Sequence, residues 1–162
     1  MDSESLLNHI NELHKDIIIN SELITDVPTI EVKPEHWVEV CSSLKKDVKT
    51  NLHSISNYGA VDYREKLGGF QLVLTIFSHK HKHRVTVKTL VPAQGDEEPE
   101  IDTVTTVWLS ADWFEREIIE LFGVKFKGHP DPRHLMLDDD WDEGFPLRRG
   151  WTGTDFIVKP EM

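Results

Sequence analysis

Apolar positions along the first half of the chain fall into short runs with clear periods. Leu6, Leu7, Ile10 and Leu13 recur at helical spacing and predict a helix over residues 3–15. Ile17, Ile18 and Ile19 read as a short buried strand, closed by Asn20 and Ser21. Thr29 to Lys33 alternates, with Ile30 and Val32 on one face. Pro34 suits the first turn of a second helix. Trp37, Val40, Cys41, Leu44 and Val48 form its apolar stripe, with Glu35 and Glu39 early and Lys45, Lys46 and Lys49 late, as a helix dipole favours.

Three strand patterns follow. The first runs from Leu52 to Tyr63. The second, Phe70 to Ser78, puts Phe70, Leu72, Leu74 and Ile76 on one face. The third, Arg84 to Val91, turns Val85, Val87 and Val91 inward and Arg84, Thr86 and Lys88 outward. Short connections between them predict antiparallel hairpins. Residues 93–100 form an exposed acidic loop. A last helix follows, with Ser110 as N-cap, Asp112 in its first turn, Phe114, Ile118, Leu121 and Phe122 as its apolar face, and Gly123 at its end.

Beyond Gly123 the periods stop. Glycines (123, 128, 144, 150, 153) and prolines (130, 132, 146, 160) punctuate the segment, yet Phe126, Trp141, Phe145, Trp151 and Phe156 lie in it. Large aromatics on an irregular segment call for burial against another surface. The pattern therefore predicts an α+β domain over residues 1–122, built on a mixed, largely antiparallel sheet with helices on one side. An extended, irregular, partner-binding tail over residues 123–162 completes it.

Composition narrows the function classes. The chain has 162 residues, enough for one domain and an extension, and its net charge is −11. Residues 96–143 hold 15 Asp/Glu against 4 Lys/Arg, so the whole excess sits in that stretch. Such a stretch repels phosphate backbones and anionic lipid, which argues against nucleic acid and a bare membrane surface as partners. A basic protein or a cation complements it. The chain shows no apolar run long enough to span a bilayer, and its acidic start, Met1-Asp2-Ser3-Glu4, is unlike a leader peptide. One cysteine, Cys41, excludes an internal disulfide and an iron–sulfur cluster or zinc site ligated by this chain's cysteines, and fits a reducing compartment.

Three local patterns invite chemistry and fail on inspection. His79, His81 and His83 would share a strand face, but Lys80 and Lys82 lie between them where a hairpin turn is expected, so a solvated turn is the better reading. Asp138 to Gly144 looks like a calcium loop, but counting from Asp138 puts Glu143 where glycine is required and Arg149 where glutamate is required. Glu115 and Glu117 are two apart on a helix and diverge, so they read as a charged helix face and not as an acid–base pair. The residues give no catalytic, cofactor-binding or metal site, and no phosphate loop or dinucleotide fingerprint.

One long motif remains. Glu115-Arg116-Glu117, Glu120, Phe122-Gly123, Gly128-His129-Pro130-Asp131, Arg133 and Leu135-Met136 closely resemble the signature of the 30-kilodalton-type (C-type) subunit of respiratory NADH:quinone oxidoreductase (complex I). Trp141, Gly144 and Pro146-Leu147-Arg148-Arg149 resemble the family's next block. Pro132, His134 and Gly150 depart from residues common there. Related subunits occur in membrane-bound hydrogenases and other quinone reductases, and the motif alone separates these poorly.

The resemblance implies a non-catalytic structural subunit in the peripheral arm of a proton-translocating enzyme, beside the subunit that frames the quinone site. It implies no cofactor in this chain, in a complex that uses FMN, iron–sulfur clusters, NADH and quinone. The implied place is peripheral, on the cytoplasmic face of the bacterial inner membrane. The signature residues are then expected at subunit interfaces. The alternatives are the equivalent subunit of a related membrane-bound hydrogenase or other quinone reductase and, outside the family, a stand-alone acidic cation-binding module. Arg148 and Arg149, set in acidic surroundings, are expected to pair with acids of the Asp138–Glu143 run or of a partner.

Overall fold

The structure is a computed structural model that describes residues 2–153; Met1 and residues 154–162, which include Phe156 and Pro160, lie outside the described part. Helix α1 (Ser3–Leu13) is capped by Asp2, whose carboxylate accepts the Ser5 amide at 2.8 Å. Strands β1 (Ile18–Ile24) and β2 (Val27–Val32) form a hairpin whose turn residues, Thr25 and Asp26, both have positive φ. The strand predicted to close at Asn20 therefore continues to Ile24. It lies at the sheet edge, and Ile19, at an irregularity between Ile18 and Asn20, is 58% exposed and not buried.

Pro34 opens a 3₁₀ turn (Pro34–His36) that leads into α2 (Trp37–Lys46). Trp37, Val40, Cys41 and Leu44 are fully buried, as the stripe predicts. Val48 is exposed because α2 ends two residues before it. Strand β3 (Ser54–Asp62), a single turn α3 (Arg64–Leu67), β4 (Gly69–Ser78) and β5 (His83–Pro92) follow. The five strands form one sheet in the order β1-β2-β5-β4-β3. All neighbours are antiparallel except β2 and β5, which run parallel.

The inward face of β4 and β5 is the one the alternation marks: Phe70, Leu72, Leu74, Ile76, Val85, Val87 and Val91 are all buried. Tyr58 of β3 sits where the covering layer meets the sheet. Its ring lies 6.1 Å from Trp37 of α2, 6.5 Å from Phe114 and 6.1 Å from Phe126. His9 of α1 reaches Asp47, just past α2, at 3.0 Å, which ties α1 to the same layer.

Strand β6 (Glu100–Asp102), helix α4 (Ala111–Phe122) and strand β7 (Lys125–Lys127) complete the fold, with β6 and β7 paired in parallel. Neither three-residue strand is long enough to register as a period in sequence. Phe126, placed by the sequence in an irregular tail, is buried in β7. Ser110 precedes α4 but makes no side-chain capping bond; Gly123 ends the helix at φ +71°, as expected.

Candidate functional site

Helix α4 holds the segments on both sides of it, at three levels. Near its start the Glu115 side chain is fully buried. Its Oε1 accepts the Val104 amide at 2.9 Å, and its Oε2 accepts the Thr103 hydroxyl. The buried His129 imidazole approaches the same Oε2 at 3.8 Å and lies 3.2 Å from the Asp112 carboxylate. His129 Nδ1 accepts the Asp131 amide at 3.1 Å, which leaves Nε2 to donate to the Asp112 backbone carbonyl at 3.2 Å. Burial raises the Glu115 carboxyl to about 7, against the pull of the Thr103 and Val104 donors. Glu115 is therefore an internal group and not part of a solvated helix face. Glu117, two residues on, is half-buried on a different side.

At the middle of α4, Arg116 and Glu120 share a face four residues apart. The Arg116 guanidinium donates to the carbonyls of Arg133 (2.8 Å) and His134 (2.6 Å). Glu120, 2% exposed, accepts the next three amides in turn: Leu135 at 2.8 Å, Met136 at 3.1 Å and Leu137 at 3.2 Å. A cation takes two carbonyls and an anion takes the amides that follow them, so five consecutive residues, 133–137, are clamped by two side chains. The first of them, Arg133, forms a two-bonded pair with Asp131, both bonds 2.7 Å, and the guanidinium holds the Asp131 carboxyl at about 2.

At the C-terminal end, Arg148 is 9% exposed and donates to three backbone carbonyls: Phe122 (2.7 Å), Asp96 (3.2 Å) and Glu97 (2.9 Å). The Leu147 amide bonds to the Leu121 carbonyl at 3.0 Å. Two carbonyls that the helix leaves without an internal partner are thus satisfied by the returning chain. The Arg148 guanidinium lies over Phe145 at 4.2 Å and Phe70 at 5.3 Å. Burial, and then the nearby Arg64, lower its pKa.

Arg149 meets a different element. Its amide donates to Asp62 Oδ2 at 2.8 Å and its Nε to the Asp62 carbonyl at 3.2 Å. Arg64 pairs with the same carboxylate at 2.8 Å. Burial alone would raise the Asp62 carboxyl, but the Arg64 side chain and the Arg149 and Arg64 amides outweigh it and hold it at about 2.

The acids expected for the arginine pair are therefore not the Asp138–Glu143 run. Arg148 finds carbonyls at a helix end, and Arg149 finds Asp62. Nothing in the sequence singled out Asp62, Arg64 or Thr103; the Asp-x-Arg spacing of the first two was the available signal. Trp141 bonds through Nε1 to the Gly144 carbonyl at 2.7 Å, and its ring lies 6.2 Å from that of Trp151. The histidine run forms the β4–β5 turn region. His79 bonds Ser54, His81 the Val48 carbonyl and His83 the Thr50 carbonyl, so the three reach different partners. Among the described residues, no group of three or more His, Cys, Asp or Glu side chains is placed to hold a metal ion. No helix of the described residues is long and apolar enough to cross a membrane.

The likeness to known proteins extends over most of the chain. The family described as respiratory-chain NADH dehydrogenase, 30 Kd subunit, matches residues 30–156. The C-type subunit of NADH-quinone oxidoreductase from Geobacter metallireducens is 42% identical over 124 residues, 76% of this chain and 73% of that one. Its namesake from Sinorhizobium medicae is 32% identical over 94% of this chain and 73% of its own length. NADH-ubiquinone oxidoreductase subunit 9 of Reclinomonas americana is 36% identical over 80% of this chain and 61% of its own. The fold is shared with a chain of the membrane-bound sulfane sulfur reductase, an archaeal respiratory membrane complex, at TM-score 0.67 and 20% identity, covering 91% of this chain and 81% of that one. The match across the α4 signature and most of the domain before it settles the membership: the chain belongs to the family of the 30-kilodalton subunit of respiratory-chain NADH dehydrogenase.

Proposed function

We propose that the chain is a non-catalytic structural subunit in the peripheral arm of a proton-translocating NADH:quinone oxidoreductase, on the cytoplasmic face of the bacterial inner membrane. In this reading it sits beside the subunit that frames the quinone site and holds the electron path at fixed distances. The observation that carries the proposal is the family match over residues 30–156, whose charged signature residues are engaged inside the chain. Glu115, Arg116, Glu120 and Arg148 direct their side chains at the chain's own backbone. That use suits a rigid support better than a reactive centre, because a positioned surface needs a shell that does not move.

FMN, iron–sulfur clusters, NADH and quinone belong, in this proposal, to the partner subunits. The lone cysteine is buried in the core, and burial pushes its thiol up, so it offers no thiolate ligand. Purification of the chain with its native partners tests the reading. Co-migration with a complex that contains flavin and iron–sulfur clusters is the expected result. A free monomer with hydrolytic or metal-dependent activity would replace the proposal with the stand-alone module.

A further inference from the structure

Three arginines converge where the returning segment meets the start of α3, and they are not equivalent. Arg148 is held by three carbonyls and two aromatic rings. Arg64 is held by Asp62 and by the Gly95 carbonyl. Arg149 is fixed through its amide and its Nε, both on Asp62. The residue is exposed, and among the described residues no carboxylate oxygen comes within ion-pair distance of its terminal nitrogens. The guanidinium is thus oriented but not satisfied.

A cleft of about 340 Å³ opens here, lined by Arg64, Arg148, Arg149, Phe145, Trp151 and the single acid Asp96, with two glycines. Its charge is opposite to that of its surroundings. Residues 96–143 carry the chain's entire negative excess, and this cleft is a positive point at their edge. The volume admits one side chain with its own peptide unit, not a folded element. Nucleic acid and anionic lipid, which present many charges in a row, would meet the surrounding acids first. A lone carboxylate on a protein surface meets only the cleft.

We propose that this cleft is a socket for one Asp or Glu side chain of a neighbouring subunit, gripped by the terminal nitrogens of Arg149 and flanked by the Trp151 and Phe145 rings. Arginine beside tryptophan in a small cleft that a partner closes off from water is the composition of an interface hot spot. The guanidinium is already held at Nε, so little side-chain freedom remains to be lost when the partner arrives. The inference rests on the assignment of the chain as a subunit of a larger complex.

The test uses the assembled complex. Wild-type chain and an Arg149→Lys variant are each expressed in place of the native gene, and the solubilised complex is treated with a water-soluble carbodiimide. That reagent joins an amine to a contacting carboxylate but leaves a guanidinium alone. Mass spectrometry is expected to find position 149 of the variant, and not of the wild type, linked to one Asp or Glu of another subunit. An Arg149→Gln variant is expected to retain the circular dichroism of the isolated chain but to lose most of its co-migration with the complex, at least tenfold. A link to Asp155 or Glu161 of the same chain, or an Arg149→Gln chain that assembles like wild type, overturns the socket. Failure of the wild-type chain itself to co-migrate would instead remove the functional assignment, whatever residue 149 does.

Discussion

The Glu120 carboxylate accepts the Leu135 amide at 2.8 Å, joining the helix to a residue fifteen positions later, and it takes the two following amides as well. Hydrogen bonds to a buried charged acceptor contribute about 1.5–3 kcal/mol each. Glu120→Gln keeps the shape but replaces one acceptor oxygen with a donor that faces the amides. It should lower the unfolding free energy by about 2–3 kcal/mol, read as a lower denaturant midpoint with an unchanged slope. A midpoint equal to that of wild type would show that the amides find other acceptors.

The buried Glu115 makes stability depend on pH in a direction opposite to most carboxylates. Its carboxyl lies at about 7 in the folded chain, above the usual 4.5. Between those values the folded state holds a proton that the unfolded state has released. Stability from this group is therefore highest at low pH, falls as pH rises from about 4.5 to about 7, and is level beyond. Each unit of difference corresponds to about 1.4 kcal/mol, so the swing is on the order of 3 kcal/mol. Glu115→Gln mimics the protonated form. Its stability relative to wild type should improve across that window, in urea titrations at about pH 5 and about pH 8. A difference that stays constant with pH would mean that Glu115 ionises normally.

Much of this fold was legible because its sheet is covered on one face only. Phe70, Leu72, Leu74 and Ile76 alternate cleanly with half-buried neighbours, and the period of two marks both the strand and its inner side. The stripe Trp37–Leu44 gave α2 in the same way. Residues 101–109 carry no period, so β6, the turn after it and Thr103 had no signal. Their order comes from pairing with β7 and from Glu115, a contact eleven or twelve residues away. The signature's position was legible, but its use was not. A Glu that binds backbone amides and a Glu on a solvated helix look alike in sequence, because the acceptor's partners lie on an irregular segment with no pattern of its own.

Gly123 is required twice over. Its φ of +71° disfavours any side chain by about 1–2 kcal/mol, and a Cβ there would lie 2.5 Å from Arg148 Nη2 and 2.6 Å from the Phe145 ring. Gly123→Ala must therefore strain the helix end and displace the cation–ring stack that closes it. A loss of about 2–4 kcal/mol is expected in thermal or chemical unfolding. The control is Gly59→Ala, in β3, where a Cβ meets nothing within 4 Å. Equal losses at the two sites would remove the argument from crowding.

The segment after α4 combines internal anchors with open surface, and hydrogen exchange separates the two. The amides of Leu135, Met136 and Leu137 end on Glu120, that of Leu147 on the Leu121 carbonyl, and that of Arg149 on Asp62. Those of Asp139, Asp140 and Asp142 belong to an exposed turn. In the isolated chain the first set should exchange slowly, more slowly than the turn though faster than the β4–β5 core, because local opening of a surface segment costs less than global unfolding. Glu120→Gln should speed exchange at 135–137 and leave 147 and 149 unchanged, since the anchors are separate. On assembly with partner subunits the acidic turn should gain protection, for a basic surface is its complement. Uniformly fast exchange through 133–151 in the isolated chain would show that the side-chain clamps do not hold in solution. An acidic turn that exchanges equally fast in the assembled complex would show that no partner covers it, and its charge would then serve solubility alone.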